Sequence, residues 1–178
     1  MHEPQTECIA KGKAHKRYEF GVKTGLVTSA RANWVLGAQM FPGNPYDGHT
    51  LQQALEQAER ITGVEPEQAC ADLGCHKSGY EGACDIQIVN RFGKTPDRRL
   101  LRWWKRRSAI EPVIGHVRED HLREGRCRLA RAAGDALHAL LTAVGFNLRK
   151  LRKGLKRLFL CLFSCSLPMV WPVLPQAA

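Results

Sequence analysis

A chain of 178 residues is long enough to bury one sizeable core and short for two full domains. Apolar residues at 44% and charged residues at 25% exclude a chain disordered throughout. A net charge of +10 and a pI near 9.6 call for an acidic partner, nucleic acid most simply, with an anionic membrane surface as the other option.

Seven cysteines (Cys8, Cys70, Cys75, Cys84, Cys127, Cys161 and Cys165) stand at scattered spacings, and no signal peptide opens the chain. That pattern predicts reduced thiols in a cytosolic protein. The longest apolar run, Leu158 to Leu167, is too short to span a bilayer and runs into Pro168.

The first twenty residues read as a loop or arm leading into a strand, with a basic cluster at Lys11, Lys13, Lys16 and Arg17 that either touches phosphates or keeps the arm solvated. Tyr18 to Thr28 and Ala32 to Phe41 are apolar, alternating runs, read as a β-hairpin with Ser29-Ala30-Arg31 as its turn. Pro42, Gly43, Asn44 and Pro45 end the second strand. A helix follows from Asp47, with Leu51, Leu55, Ile61 and Val64 on one side, Asp47 as its N-cap and Gly63 as its stop. His49 is read as a surface or capping residue, a single histidine being weak support for a metal site.

Glu67 to Gly74 reads as a short buried strand with Asp72 at its C-terminal tip. A carboxylate there either starts a turn or faces the region outside the strand ends, where open α/β sheets gather their ligands. Cys70, Cys75, His76 and Cys84 are of zinc-binding types, but without a CxxC knuckle they read as buried or incidental thiols. Asp85 to Asn90 alternates as another strand.

From Arg98 to Arg107, six of ten residues are basic. Trp104, Arg107, Glu111 and Arg118 fall at offsets of 0, 3, 7 and 14, close to one line along a helix. The stripe suits a lone carboxylate beside a polyanion, and equally an exposed i,i+4 ion pair between Arg107 and Glu111. Pro112 either kinks this helix or begins a new one at its first position. Ala130 to Phe159 holds the longest helical pattern, with Leu137, Leu140, Leu141, Val144, Leu148, Leu151 and Leu155 on one side and Arg149, Lys150, Arg152, Lys153, Lys156 and Arg157 on the other. It reads as a packing helix with a solvated basic end, which could also dock on phosphates or an anionic membrane. The tail after Leu158 has no matching polar face, and three prolines.

The spacing aromatic-x2-Arg-x3-Glu-x6-Lys/Arg, here Trp104, Arg107, Glu111 and Arg118, resembles the C-terminal signature of DDE transposases from bacterial insertion sequences, with Trp for the usual Tyr and Arg for the usual Lys. The strings RRSAIEPVIGH, GKAHKRYEFGVK and PGNPYDGHTL are similar to the insertion-sequence-five group, and the likeness covers roughly residues 2–157. That group normally reads ADKGY where this chain has Ala71, Asp72, Leu73, Gly74 and Cys75. The resemblance implies an α/β, RNase H-like fold, here partial: a mixed sheet flanked by helices, with a C-terminal helical extension. It implies Asp72 and Glu111 as the second and third catalytic, metal-binding carboxylates, and Asp47 and His49 as residues that help shape the catalytic face. It also implies Mg2+ in a two-metal site, where paired cations stabilise the attacking and leaving oxygens of a phosphoryl displacement. Arg107 and Arg118, with Arg98, Arg99, Arg102, Lys105 and Arg106, are then the expected DNA contacts.

The family's first carboxylate lies on a strand upstream of the matching sequence, and the acids before Asp47 are only Glu3, Glu7 and Glu19. The expectation is a truncated transposase, inactive alone, with a core over residues 1–126 lacking its first strand, a basic amphipathic helix over 127–159 and an apolar tail over 160–178. Its expected partners are transposon ends and target DNA, with a homo-oligomer as an option and no membrane, and its expected location is the cytoplasm, at the nucleoid. Alternatives are a non-catalytic DNA-binding remnant, a basic membrane-surface or partner-binding protein, and an unstable pseudogene product.

Overall fold

The computed structural model describes residues 6–10, 17–76, 78–88, 98–117, 129 and 131–166, apart from the side chains of residues 99–100 and 165–166. The basic cluster at Lys11, Lys13 and Lys16, the residues Arg118 and Cys127, and the tail beyond residue 166 therefore lie outside the described residues.

The chain is mixed α/β. Strand β1 (Cys8–Ala10) pairs antiparallel with β2 (Tyr18–Phe20), Ile9 opposite Glu19. Gly21, at φ 125°, breaks the run that alternation alone reads as one strand, so β3 (Lys23–Thr28) is a separate element. β3 pairs antiparallel with β4 (Val35–Phe41), Lys23 opposite Phe41 and Leu26 opposite Ala38. The turn between them is longer than the expected three residues: Ser29 N–H donates to Trp34 O at 2.8 Å, and Trp34 N–H donates to Ser29 Oγ at 3.0 Å. Asn33 takes a left-handed φ of 51° to close this loop, which removes Ala32, Asn33 and Trp34 from the strand.

Helix α1 (Asp47–Thr62) ends on Gly63 at φ 68°, whose N–H returns to Glu59 O at 2.7 Å. Its N-cap is Tyr46 and no side chain caps it, correcting the expected role of Asp47. The Asp47 carboxylate turns instead to the Lys23 ammonium, which also donates to Pro45 O at 2.5 Å. A charged partner from β3 outcompetes the local backbone N–H.

Strand β5 (Gln68–Ala71) runs parallel to β6 (Asp85–Ile88), Ala71 opposite Ile88. β5 ends one residue before Asp72, and a single 3-10 turn, Leu73–Cys75, follows. Helix α2 (Arg98–Ser108) gives way at Ala109 to α3 (Ile110–His116). Pro112 thus lies at the third position of a new helix, where its missing N–H is one that no intrahelical carbonyl would meet.

Helix α4 (Arg131–Ser166) carries the chain beyond Phe159 without a break. α1 and α4 both pack on β4. One core cluster joins Val35 and Ala38 of β4, Val113 and Val117 from α3 onward, and Ala143 of α4, with Leu26 and Phe146 against it. The face of α4 that packs carries Ala139, Thr142, Ala143 and Asn147, whereas the leucine side expected to pack is exposed. Small side chains let the helix approach the strand closely enough for Asn147 to exchange two hydrogen bonds with the Val35 backbone, at 2.8 and 3.0 Å. Among the described residues, no helix is long and apolar enough to cross a membrane.

Candidate functional site

Two segments distant in sequence meet at the C-terminal end of β5. The parallel β5–β6 pair aims the chain at Asp72, and the N-terminal half of the site is fixed there. Helix α2 packs along β5, where the Cys70 thiol lies 3.9 Å from Trp103 O. That contact brings the last turn of α2 over the strand tip. The core residue Val113, buried among β4 and α4, anchors α3 so that Glu111 faces outward beside it.

At the meeting point Arg107 lies between the two acids. Its Nη2 is 2.6 Å from Asp72 Oδ2, and its Nη1 is 3.6 Å from Glu111 Oε1. The arginine side chain is only 16% exposed while the two carboxylates are 60% and 62% exposed, so a half-sequestered cation holds two solvent-facing acids. The second Asp72 oxygen, Oδ1, accepts from the Leu73 N–H at 2.8 Å, and both oxygens are therefore engaged. The helix break at Ala109 does not disturb the i,i+4 relation of Arg107 and Glu111, because Ala109 keeps right-handed helical angles of φ −71° and ψ −10°.

A second ion pair, Lys23 with Asp47, stands beside this one. The Asp47 carboxylate lies against Gly74, two residues after Asp72, in space that a side chain at 74 would fill. Burial first, and then the charges of Asp47 and Asp72, push the Cys75 thiol above its ordinary value of 9.0. Lys23 was invisible as a site residue in the sequence, where a lysine opening a strand carries no signal.

The expected DNA contacts divide by what they touch. Arg106 donates to Ala30 O at 3.4 Å and Arg31 O at 3.0 Å, tying α2 to the β3–β4 loop. Arg107 is committed to the two carboxylates. Arg98, Arg102 and Lys105 are exposed, and the side chain of Arg99 and all of Arg118 lie outside the described residues. Trp104, the aromatic member of the stripe, is partly buried, and its indole N–H has no hydrogen-bond partner.

Glu3 lies outside the described residues, and the two described acids upstream of Asp47 do not complete an acidic cluster. Glu7 accepts from the Gly43 N–H at 2.7 Å, and Glu19 sits on β2 opposite Ile9. Among the described residues, no three His, Cys, Asp or Glu side chains converge to hold a metal ion, the Cys70, Cys75, His76 and Cys84 group included. The donor set fits a two-metal centre poorly, since the two carboxylates are bridged by a guanidinium where shared cations would have to lie.

Compared with known families, residues 2–148 match the family model described as Transposase DDE domain. Neither the curated proteins nor the solved structures give a significant match.

Proposed function

The chain belongs to the transposase DDE domain family, and from that premise we propose that it binds DNA through its cationic helix surfaces and, acting by itself, does not complete strand cleavage. The family acts in DNA transposition and recombination and generally depends on divalent metal ions. The observation that carries the proposal is the Asp72–Arg107–Glu111 bridge, with no third ligand joining it among the described residues.

In this reading Asp72 and Glu111 are the second and third acidic positions of an RNase H-like, insertion-sequence-five type of catalytic domain. The strand-tip placement of Asp72 and the helix placement of Glu111 support it. Magnesium takes oxygen ligands and would compete with Arg107 for the two acids. Two carboxylates with no third beside them among the described residues would leave the attacking water without a fixed position. Arg107 is then a positioning residue that holds the two acids together while offsetting one of their two negative charges.

DNA affinity comes from the exposed cations of α2 (Arg98, Arg102, Lys105) and of the second half of α4, where Arg149, Arg152, Lys153, Lys156 and Arg157 stand without one acid from residue 136 to 178. With about six phosphate contacts, affinity should fall roughly 10³-fold between 50 and 200 mM salt. Fluorescence anisotropy with duplex DNA across that salt range tests the proposal, alongside a magnesium-dependent nicking assay on supercoiled plasmid. Salt-steep binding without nicking is the expected result. Nicking abolished by Asp72→Asn and by Glu111→Gln would show instead a working site in this chain.

A further inference from the structure

We infer that the loop joining β3 to β4 is a phosphate-binding site, in which Arg106 of α2, Lys150 of α4 and Arg31 of the loop itself take one phosphate group. Arg106 Nη1 donates to Ala30 O and Arg31 O at 3.4 and 3.0 Å, and the Lys150 ammonium donates to Ala32 O. Consecutive residues stand ~3.8 Å apart along the chain, so cations held on the carbonyls of 31 and 32 fall within the span of one phosphate. Lys150 also lies over the Trp34 ring, 5.2 Å from its centroid, which helps to fix the ammonium at the loop. The loop that gathers these groups is itself fastened: Ser29 and Trp34 close it, and Asn33 Nδ2 donates to Ala109 O at 3.5 Å.

The carbonyls hold the two cations without cancelling their charge. Residues 23–41, 98–108 and 136–166, which supply the hairpin, α2 and most of α4, contain no aspartate or glutamate. Among the described residues, Arg31, Arg106 and Lys150 form no ion pair with a carboxylate. The contrast with the next residue is direct, since Arg107 is committed to Asp72 and Glu111. Like charges gathered on one loop repel one another, and an anion placed between them relieves that cost.

Donors remain for such an anion. A guanidinium offers five N–H donors and an ammonium three. Arg106 uses Nη1 on the loop, so among the described residues its Nη2 and Nε are left as a fork of the kind that grips phosphate oxygens. Lys150 keeps donors beyond the one given to Ala32 O. A phosphate can thus bind while the loop contacts stay in place, and the two long side chains are already ordered for it. The chemistry is that of a phosphate group, whether free or in a nucleic-acid backbone. As a backbone phosphate it rests on the DNA-binding reading above; as a free one it does not.

Tryptophan emission of the full chain, titrated with inorganic phosphate at an ionic strength fixed with chloride, tests the site. Trp34→Phe isolates the part of the signal that arises at the loop. The expected result is a saturable change that Trp34→Phe lacks, and that Arg106→Gln/Lys150→Gln, which keeps amide donors for the carbonyls, weakens roughly tenfold or more. Arg31→Gln, at an exposed side chain, should weaken it by a smaller factor and decides the matter if the double variant does not fold by circular dichroism. Short duplex DNA that gives the same change and blocks the phosphate response would assign the site to the nucleic-acid backbone. A phosphate response that DNA leaves intact would assign it to a free phosphate. No saturable change in wild type, or an unchanged one in Arg31→Gln or in the folded double variant, would overturn the inference. Salt-steep DNA anisotropy beside that negative result would leave the DNA-binding reading standing.

Discussion

The Arg107 guanidinium meets the Asp72 carboxylate at 2.6 Å, joining the last turn of α2 to the tip of β5 across a separation of 35 residues in the chain. The two acids of the site are thus organised around a cation. Truncating Arg107 to Ala should destabilise the protein by about 1–2 kcal/mol, through lost packing of its mostly covered stem and a weakened α2–β5 contact. Asp72→Asn and Glu111→Gln, at exposed ends of the same bridge, should each cost less than about 1 kcal/mol. Urea unfolding of the three variants measures the order; an Asp72→Asn loss larger than that of Arg107→Ala would contradict it.

Asn147 fastens α4 to β4 by offering its amide as both donor and acceptor to Val35. Asn147→Ala leaves two backbone groups of the strand without those partners and should cost about 1–3 kcal/mol. Asn147→Asp keeps the acceptor and loses the donor, so it should fall between wild type and Ala at neutral pH. Thermal melts would show a Tm drop in that order.

Gly25 lies under the Phe41 ring, where an added Cβ would stand 2.8 Å from Cε2. Phe41 is 4% exposed and has little room to retreat. Gly25→Ala should therefore cost about 1–3 kcal/mol despite the better strand propensity of alanine. A variant as stable as wild type would mean that the ring swings aside without penalty.

Burial raises the Cys70, Cys75 and Cys84 thiols above the ordinary 9.0, and at Cys75 the carboxylates of Asp47 and Asp72 add to it. Below 9.0 folded and unfolded chains both hold these protons and the thiols contribute no pH dependence. Above it the unfolded chain releases them first, so stability falls as pH rises. Urea midpoints at about pH 8 and about pH 10 should decline in that direction, and Cys70→Ser/Cys75→Ser/Cys84→Ser should flatten the decline. Asp47→Asn should speed iodoacetamide labelling of Cys75 at fixed alkaline pH; unchanged labelling would place Asp47 too far away to act on the thiol.

The position of Asp72 just past a strand is legible because β5 is a short apolar run closed by Asp-x-Gly, whereas its reading as a site residue came only from the family resemblance. The Arg107–Glu111 ion pair is legible because helical spacing is local. Residues 68–72 and 107–111 carry their own geometry. The Asp72–Arg107 contact is not local, and nothing in either segment states that α2 comes to rest on β5. The same reason hid the Lys23–Asp47 pair, which turned an expected helix cap into an ion pair. On α4 the error was one of face: leucines every three or four residues read as the buried side, but Ala139 and Ala143 let the helix sit closer to β4 than leucine would. Among the described residues the helix therefore exposes its more apolar side.

The most direct test of the central claim is to incubate the purified chain with supercoiled plasmid and magnesium while measuring DNA binding in the same buffer. Binding that weakens steeply with salt, with no more nicking than Asp72→Asn or Glu111→Gln produces, is the predicted result. Magnesium-dependent nicking by the wild-type chain that both variants lose would contradict it.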